Sequence, residues 1–425
     1  MSRFKDLPVL REFRVEEGSQ GIIHLVFDMP QRSMNVFANA AIHELGRFAD
    51  WLGDAEVRGV VVRSGKQSAF CVGADLAEIG TAYEMITAAP AADRFQLAFD
   101  HFFPLSRAIR ALETSGKPVA AAIGGLALGG GCELALGAHH RVLADHSEAA
   151  LGLPESLVGV LPGGGGTQRL PRLIGIDAAL PVLLNGDRLA GQQALSVGLV
   201  DEVVAEGEEV EAAERWILTR GTSRQPWDRP NWRIPDEGEV GRRISSARTA
   251  VLQETLGHYP APLAILDCIE QGLRLPMDEA LQREMSIFSR LIQRPEPRNM
   301  IRALFLGRLD HERAKKAPDP AVEAALQDLR AAKAEDPQTR EALAAAGFRT
   351  GETAAPVQRE VGPTYWIDAP PLDPRKLAVR MHIDRLSKVA GGHQLSEEQQ
   401  RSVDYRLAME GAYPAYLPSL FSKRI

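Results

Sequence analysis

The chain has 425 residues, 45% of them hydrophobic and 25% charged, and a formal net charge of −7. These proportions describe a globular chain long enough for one large domain and a smaller one, and the acidic balance argues against nucleic acid as a partner. Three cysteines, Cys71, Cys132 and Cys268, are too few and too scattered for a disulfide framework or a zinc site, so a reducing cytoplasm is the expected compartment. The first residues are charged throughout, and no apolar run approaches the roughly 18 residues of a membrane span, so neither export nor insertion is expected.

In chain order, Gly21-Ile22-Ile23-His24-Leu25-Val26-Phe27 reads as a strand that stops at Asp28-Met29-Pro30. Ile42, Leu45, Phe48, Ala49 and Leu52 recur at three- and four-residue steps, which predicts a helix. Gly59-Val60-Val61-Val62-Arg63 then supplies a buried strand. Strand, helix and strand in that order argue for a right-handed parallel crossover. Residues 78–114 read as helical with a break at 88–92, and Phe95, Phe99, Phe102 and Phe103 fall on or near one face, for which core packing is the default. Lys117 to Ile123 reads as a strand that delivers the chain to a glycine cluster, and His139 to Ala144 as the next strand.

The stretch 124–169 carries two glycine clusters and two glutamates, Glu133 and Glu155. Gly129, Gly130 and Gly131 remove every Cβ where a helix begins near Gly131-Cys132-Glu133, so a ligand can approach bare amides at the positive end of a helix dipole. Taken singly, Glu133 is also an ordinary first-turn carboxylate, and Glu155 after Pro154 another. The run Gly163 to Gly166 fits neither a phosphate-cradling loop, since no Lys-Ser or Lys-Thr follows, nor a dinucleotide fingerprint.

Three blocks taken together are more informative. They are Phe70-Cys71-Val72-Gly73-Ala74-Asp75-Leu76, then Ala127-Leu128-Gly129-Gly130-Gly131-Cys132-Glu133-Leu134, then the segment from Leu153-Pro154-Glu155 through Pro162-Gly163 to Thr167-Gln168. In this order the chain resembles the crotonase (enoyl-CoA hydratase/isomerase) superfamily over about residues 10–220. To about residue 316 it is similar to the hydratase half of multifunctional fatty-acid β-oxidation proteins. The resemblance implies an α/β fold, a spiral of ββα repeats followed by a helical C-terminal region. It divides the chain into a core at 1–220, a helical extension or cover at 221–316, and a region of unrecognised type at 317–425.

The resemblance also implies roles. Glu133 and Glu155 match the two catalytic glutamates, and the amides of Ala74 and Gly130 an oxyanion hole for a thioester carbonyl. Asp75, Leu76, Gly129, Gly131, Pro154 and Gly163 belong to the substrate-binding blocks. The interval between the glutamates is two residues longer than in most relatives, and the extra residues are placed in a turn near Asp145-His146-Ser147-Glu148. The implied reaction is hydration of a 2-enoyl-CoA, with Δ3–Δ2 isomerisation as the alternative. CoA enters as part of an acyl-CoA substrate, so no cofactor and no metal is expected. The phenylalanines then become candidates for the wall of the acyl pocket, and a homo-oligomer is expected.

A basic rim for CoA is expected near Arg32, Arg63 and Lys66, although solvated surface charge is the simpler reading of each, and the family's usual basic residue after Gly-x-Asp is replaced by Ala77. His139 and His140 read as strand residues. Residues 224–238 read as a structured linker. Beyond it, helices are expected at 240–256, 262–274, 277–292 (apolar face Leu281, Met285, Phe288, Ile292) and 299–315, then an alanine-rich pair to 347 and a loop-rich tail at 351–425. No dinucleotide fingerprint follows, so NAD chemistry is unsupported. Tyr365-Trp366 and Tyr413-Pro414-Ala415-Tyr416 read as packing or interface. In a second reading the C-terminal region docks a separate β-oxidation enzyme partner.

Overall fold

The computed structural model describes residues 6–234, 237–255, 259–314, 319–332, 337–345, 348, 374–417 and 419–421. The chain forms two compact units, residues 1–244 with 264–293, and residues 245–263 with 294–425.

The described residues of the first unit hold ten strands: β1 (Phe13–Glu17), β2 (Ile22–Phe27), β3 (Gly59–Ser64), β4 (Ala69–Cys71), β5 (Val119–Ile123), β6 (Leu126–Leu128), β7 (His140–Ala144), β8 (Ala150–Gly152), β9 (Arg188–Ala190) and β10 (Glu202–Val204). They form a six-stranded sheet ordered β1-β2-β3-β5-β7-β10 and a four-stranded sheet ordered β4-β6-β8-β9. Successive pairs, β3 with β4, β5 with β6 and β7 with β8, give one strand to each sheet before the chain turns into helix. That is a spiral of ββα repeats, as the resemblance implies. Among the described residues only β1 against β2 and β8 against β9 run antiparallel.

Burial explains the composition of these strands. Val60, Val61 and Val62 are enclosed, because a parallel strand covered on both faces reads as a continuous apolar run rather than an alternating one. Ala120 and Ala122 of β5 keep one face small, and the helix Glu209–Arg220 packs there through Ala212, Ala213 and Ile217. The helix Asn39–Asp54 buries Leu45, Phe48, Ala49 and Leu52 of the apolar stripe read from the sequence, with Ala41 enclosed in place of the half-buried Ile42. The helical stretch after residue 75 is broken where expected, into Leu76–Ala88 and Arg94–Glu113. In the 224–238 segment Trp227 is buried, its Nε1 donating to Glu113 at 3.2 Å.

The second unit is helical and corrects one expectation. The tail is not loop-rich where it is described: Pro374–Gly391 and Glu397–Met409 are helices, the latter opened by a capping box between Ser396 and Gln399. With Pro320–Ala331 and Pro337–Ala345 they enclose a core that includes Leu326, Leu343, Ile383, Val403, Leu407 and Tyr413. The helix expected at 299–315 is divided into Pro295–Met300, a π-helical stretch Ile301–Leu306 and Gly307–Ala314. Tyr365 and Trp366 lie outside the described residues. Among the described residues no helix is long and apolar enough to cross a membrane.

Candidate active site

In the smaller sheet β4, β6 and β8 lie side by side and run parallel, so the loops after their carboxyl ends converge. These loops carry Gly73-Ala74, Gly129-Gly130 and Pro154-Glu155. The backbones touch: a Cβ on Gly129 would stand 3.3 Å from Gly73 Cα and 2.8 Å from Glu155 Oε1. Gly129 has φ 53° and ψ −127°, a conformation essentially reserved for glycine. At Gly131 a Cβ would fall 2.2 Å from the Cys71 carbonyl oxygen, so the helix after β6 can start against β4 only without a side chain there.

Two amides stand apart from the ladder. Ala74 bridges Phe37, but the bonds of that bridge are donated by Phe37 to Gly73 O (2.8 Å) and by Asp75 to Phe37 O (3.1 Å), which leaves the Ala74 amide outside it. Gly130 is the first residue of the helix Gly130–Gly137, where an N–H has no partner within the helix. The helix thus begins one residue earlier than the sequence reading placed it.

Glu133 sits in the first turn of that helix and is 2% exposed. Its Oε1 accepts from Gly164 N at 2.7 Å and Gly166 N at 2.8 Å. Burial pushes its carboxyl up to about 7, against the downward pull of those two amides and of Arg169. Glu155 lies in the short 3-10 helix Pro154–Val158, and its Oε2 is enclosed without a hydrogen-bond partner. Burial first, then the charge of Glu133, hold its carboxyl well above the usual carboxylate range. An enclosed, unpartnered oxygen costs about 1–3 kcal/mol, so a fold that keeps one uses it or accepts that loss.

A third carboxylate was missed by the sequence reading. Glu284, on the helix Met277–Leu291, accepts from Gly165 N at 2.8 Å and Thr167 N at 3.1 Å, and takes the Thr167 hydroxyl as well. Burial and then Glu133 push it up to about 8. The signal was present, since Glu284 interrupts the apolar face formed by Leu281, Met285 and Phe288, where a glutamate has no solvent to face.

The remaining candidates fall around this centre. Asp75 caps the helix Leu76–Ala88, accepting from Ala77 N at 3.0 Å and Glu78 N at 3.3 Å, and pairs with Arg32 at 2.8 Å. Gly163 lies beside Met285 and Phe288. Phe95, Phe99, Phe102 and Phe103 are half-buried, and Phe102 meets Phe288 at a centroid distance of 4.9 Å. Arg63 and Lys66 are not freely solvated: Arg63 pairs with Glu16, and Lys66 with Asp28 and the Met29 carbonyl, both at 2.7 Å. His140 opens β7, but His139 precedes it and accepts from Val119 N at 3.1 Å. The turn holding Asp145 to Glu148 joins β7 to β8 and leaves Glu155 in the short 3-10 helix that follows β8.

A spiral of ββα repeats with paired acids over glycine-rich strand ends defines a class. The model of the enoyl-CoA hydratase/isomerase family matches residues 17–226, and over those residues the chain belongs to that family. The fatty acid oxidation complex subunit alpha of Shewanella amazonensis is 37% identical over 317 residues, 73% of this chain and 43% of that protein. Its namesake from Shewanella loihica is 36% identical over 321 residues, 74% of this chain and 44% of that one. The chain thus spans less than half the length of the curated relatives it matches. The solved enoyl-CoA hydratase of Bacillus halodurans overlaps 69% of this chain and 100% of its own with a TM-score of 0.50 at 17% identity, a likeness of fold.

Proposed function

We propose that the chain adds water across the double bond of a 2-enoyl-CoA thioester. The thioester oxygen lies between the amides of Ala74 and Gly130, which meet the negative charge that grows on it; one such donor contributes roughly 3–4 kcal/mol to the transition state. Glu133 orients and activates the water, whose oxygen bonds to the β-carbon. Glu155 gives its proton to the α-carbon and recovers one from the water, so both carboxyls end as they began. The division of labour follows from the environments: two amides favour the charged form of Glu133, while Glu155 has none on Oε2 and a negative neighbour. CoA is part of the substrate, and no cofactor takes part.

The observation that carries this reading is that two buried acids meet through Gly129, whose carbonyl accepts from Glu133 N at 2.9 Å and whose bare Cα leaves room for Glu155 Oε1, with the charge of Glu133 raising the Glu155 carboxyl. The test follows the absorbance of the conjugated thioester with a short and a long 2-enoyl-CoA. Glu133→Gln and Glu155→Gln should each lower turnover by about 10²-fold or more. Near-native turnover in both variants overturns the mechanism.

The unpartnered Glu155 Oε2 favours a second activity at the same centre, Δ3–Δ2 isomerisation, in which one carboxyl carries a proton between two carbons. Relatives named as subunits of a fatty acid oxidation complex support association with a separate β-oxidation enzyme; self-association and docking through the C-terminal region are further parts of the proposal.

A further inference from the structure

We infer that Glu284 is a positioning residue of this centre, a third carboxylate that fixes the loop 163–167 and through it the orientation of Glu133. The inference rests on the hydration reading for its kinetic consequences, and on geometry for the rest.

Four consecutive amides alternate between two acids. Gly164 and Gly166 donate to Glu133 Oε1, while Gly165 and Thr167 donate to Glu284 Oε1 and Oε2. The loop is therefore clamped from both sides, one carboxylate per side. Three of these N–H groups, those of Gly165, Gly166 and Thr167, open the helix Gly166–Ile174, where unsatisfied donors and the helix dipole both call for negative charge. Gly164 O is tied as well, accepting from Arg169 Nη1 at 2.9 Å, and Arg169 in turn meets Glu113 at 2.8 Å.

Glu133 Oε1 has no other donor among the described residues, so its aim is set by where Gly164 and Gly166 stand. Those two are bracketed by the residues Glu284 holds. A carboxyl group is suited to this: ionised it presents acceptors only, and in its acid form its one proton can be given to the Thr167 hydroxyl, whereas a glutamine turns an NH2 group toward N–H donors. The helix that supplies Glu284 also lays Met285 and Phe288 against Gly163, and Leu281 beside Gly165. One helix therefore places the loop and walls its edge.

Charge gives the inference a second consequence. Glu155 faces Glu133 from the helix Gly130–Gly137, Glu284 from the helix Met277–Leu291, and the buried thiol of Cys132, while Arg169 stands behind both Glu133 and Glu284. Removing the negative charge of Glu284 makes ionisation of Glu155 easier. The alkaline limb of a kcat profile, which reports the proton on Glu155, then moves to lower pH.

The experiment compares the full-length native protein with Glu284→Gln and Thr167→Val, using a four-carbon 2-enoyl-CoA and amide hydrogen exchange over residues 164–167. Glu284→Gln should lower kcat about tenfold or more with KM changed less than about threefold, shift the alkaline limb to lower pH, and speed exchange at Gly164 and Gly166. Thr167→Val, which removes one donor to Glu284 and no charge, should speed exchange and lower kcat by less while leaving the alkaline limb in place. A folded Glu284→Gln protein with native kcat, limb and exchange overturns the inference. If Glu284→Gln fails to fold, Thr167→Val decides: native kcat and exchange there overturn it too. A native protein that turns over no 2-enoyl-CoA defeats the hydration reading instead, and the exchange data then decide the role of Glu284 alone.

Discussion

Gly129 and Glu155 occupy adjoining space: a side chain on Gly129 would reach within 2.8 Å of Glu155 Oε1. The glycine is therefore part of the carboxylate's site and not only a hinge before a helix. Gly129→Ala would force an L-residue into φ 53°, ψ −127° and push Glu155 from its place. The expected result is a loss of about 1–3 kcal/mol in stability together with loss of most turnover, read by thermal melting and the thioester assay. An alanine variant with native activity would show that Glu155 has no fixed position to lose.

The ion pair of Arg169 with Glu113 is fully enclosed, and it is tied to function through Arg169 Nη1 and Gly164 O. Taking away one partner strands the other in a dry interior. Arg169→Met should therefore destabilise the first unit by about 3–5 kcal/mol. Glu113 also accepts from the Trp227 indole, so the emission of Trp227 should change in the variant before global unfolding. Denaturant titration followed by fluorescence checks both statements.

Strands and helices with a buried stripe were legible because burial writes itself into local pattern: Val60 to Val62 for a covered strand, Leu45, Phe48 and Leu52 for a helix. The strands that build the site were not legible in that way. β4, β6 and β8 are three residues each, too short for any period, and no strand is read at them from the sequence, where only the glycine and glutamate blocks around them stand out. Glu284 lies 119 positions from its partner Gly165, and no local rule connects an acid on one helix with the amides of a distant loop. The tail helices at Pro374–Gly391 and Glu397–Met409 were hidden by a polar composition, their burial resting on scattered residues such as Ile383, Val403 and Leu407.

Phe102 and Phe288 come from helices far apart in sequence and meet at 4.9 Å, Phe288 buried beside Gly163 and Phe102 half-buried. A pair placed there shapes an acyl site if the chain lies against it. Phe102→Ala should raise KM for a long 2-enoyl-CoA by about tenfold while changing KM for a four-carbon substrate by less than about threefold, since one apolar contact contributes about 1–3 kcal/mol. Equal effects on both lengths would assign the rings to packing alone.

The cluster of acids also sets how stability depends on pH. Glu133 is raised to about 7 and Glu284 to about 8, from an ordinary value of 4.5, so between those limits the folded protein holds protons that the unfolded chain has released. Their contribution is fully present below about pH 4.5 and is lost as pH rises through 7 and 8, at up to about 1.4 kcal/mol per pH unit for each group. His101, His139 and His140, lowered by burial, titrate with the opposite sign in part of this interval, so the raw curve mixes the two. The difference between native protein and Glu284→Gln isolates the acid: melting temperatures taken from pH 5 to pH 8 should show the advantage of the native protein shrinking steadily as pH rises. A constant difference across that range would mean that Glu284 is ionised throughout, and that its bonds to Gly165 and Thr167 stabilise the charge as fully as water does.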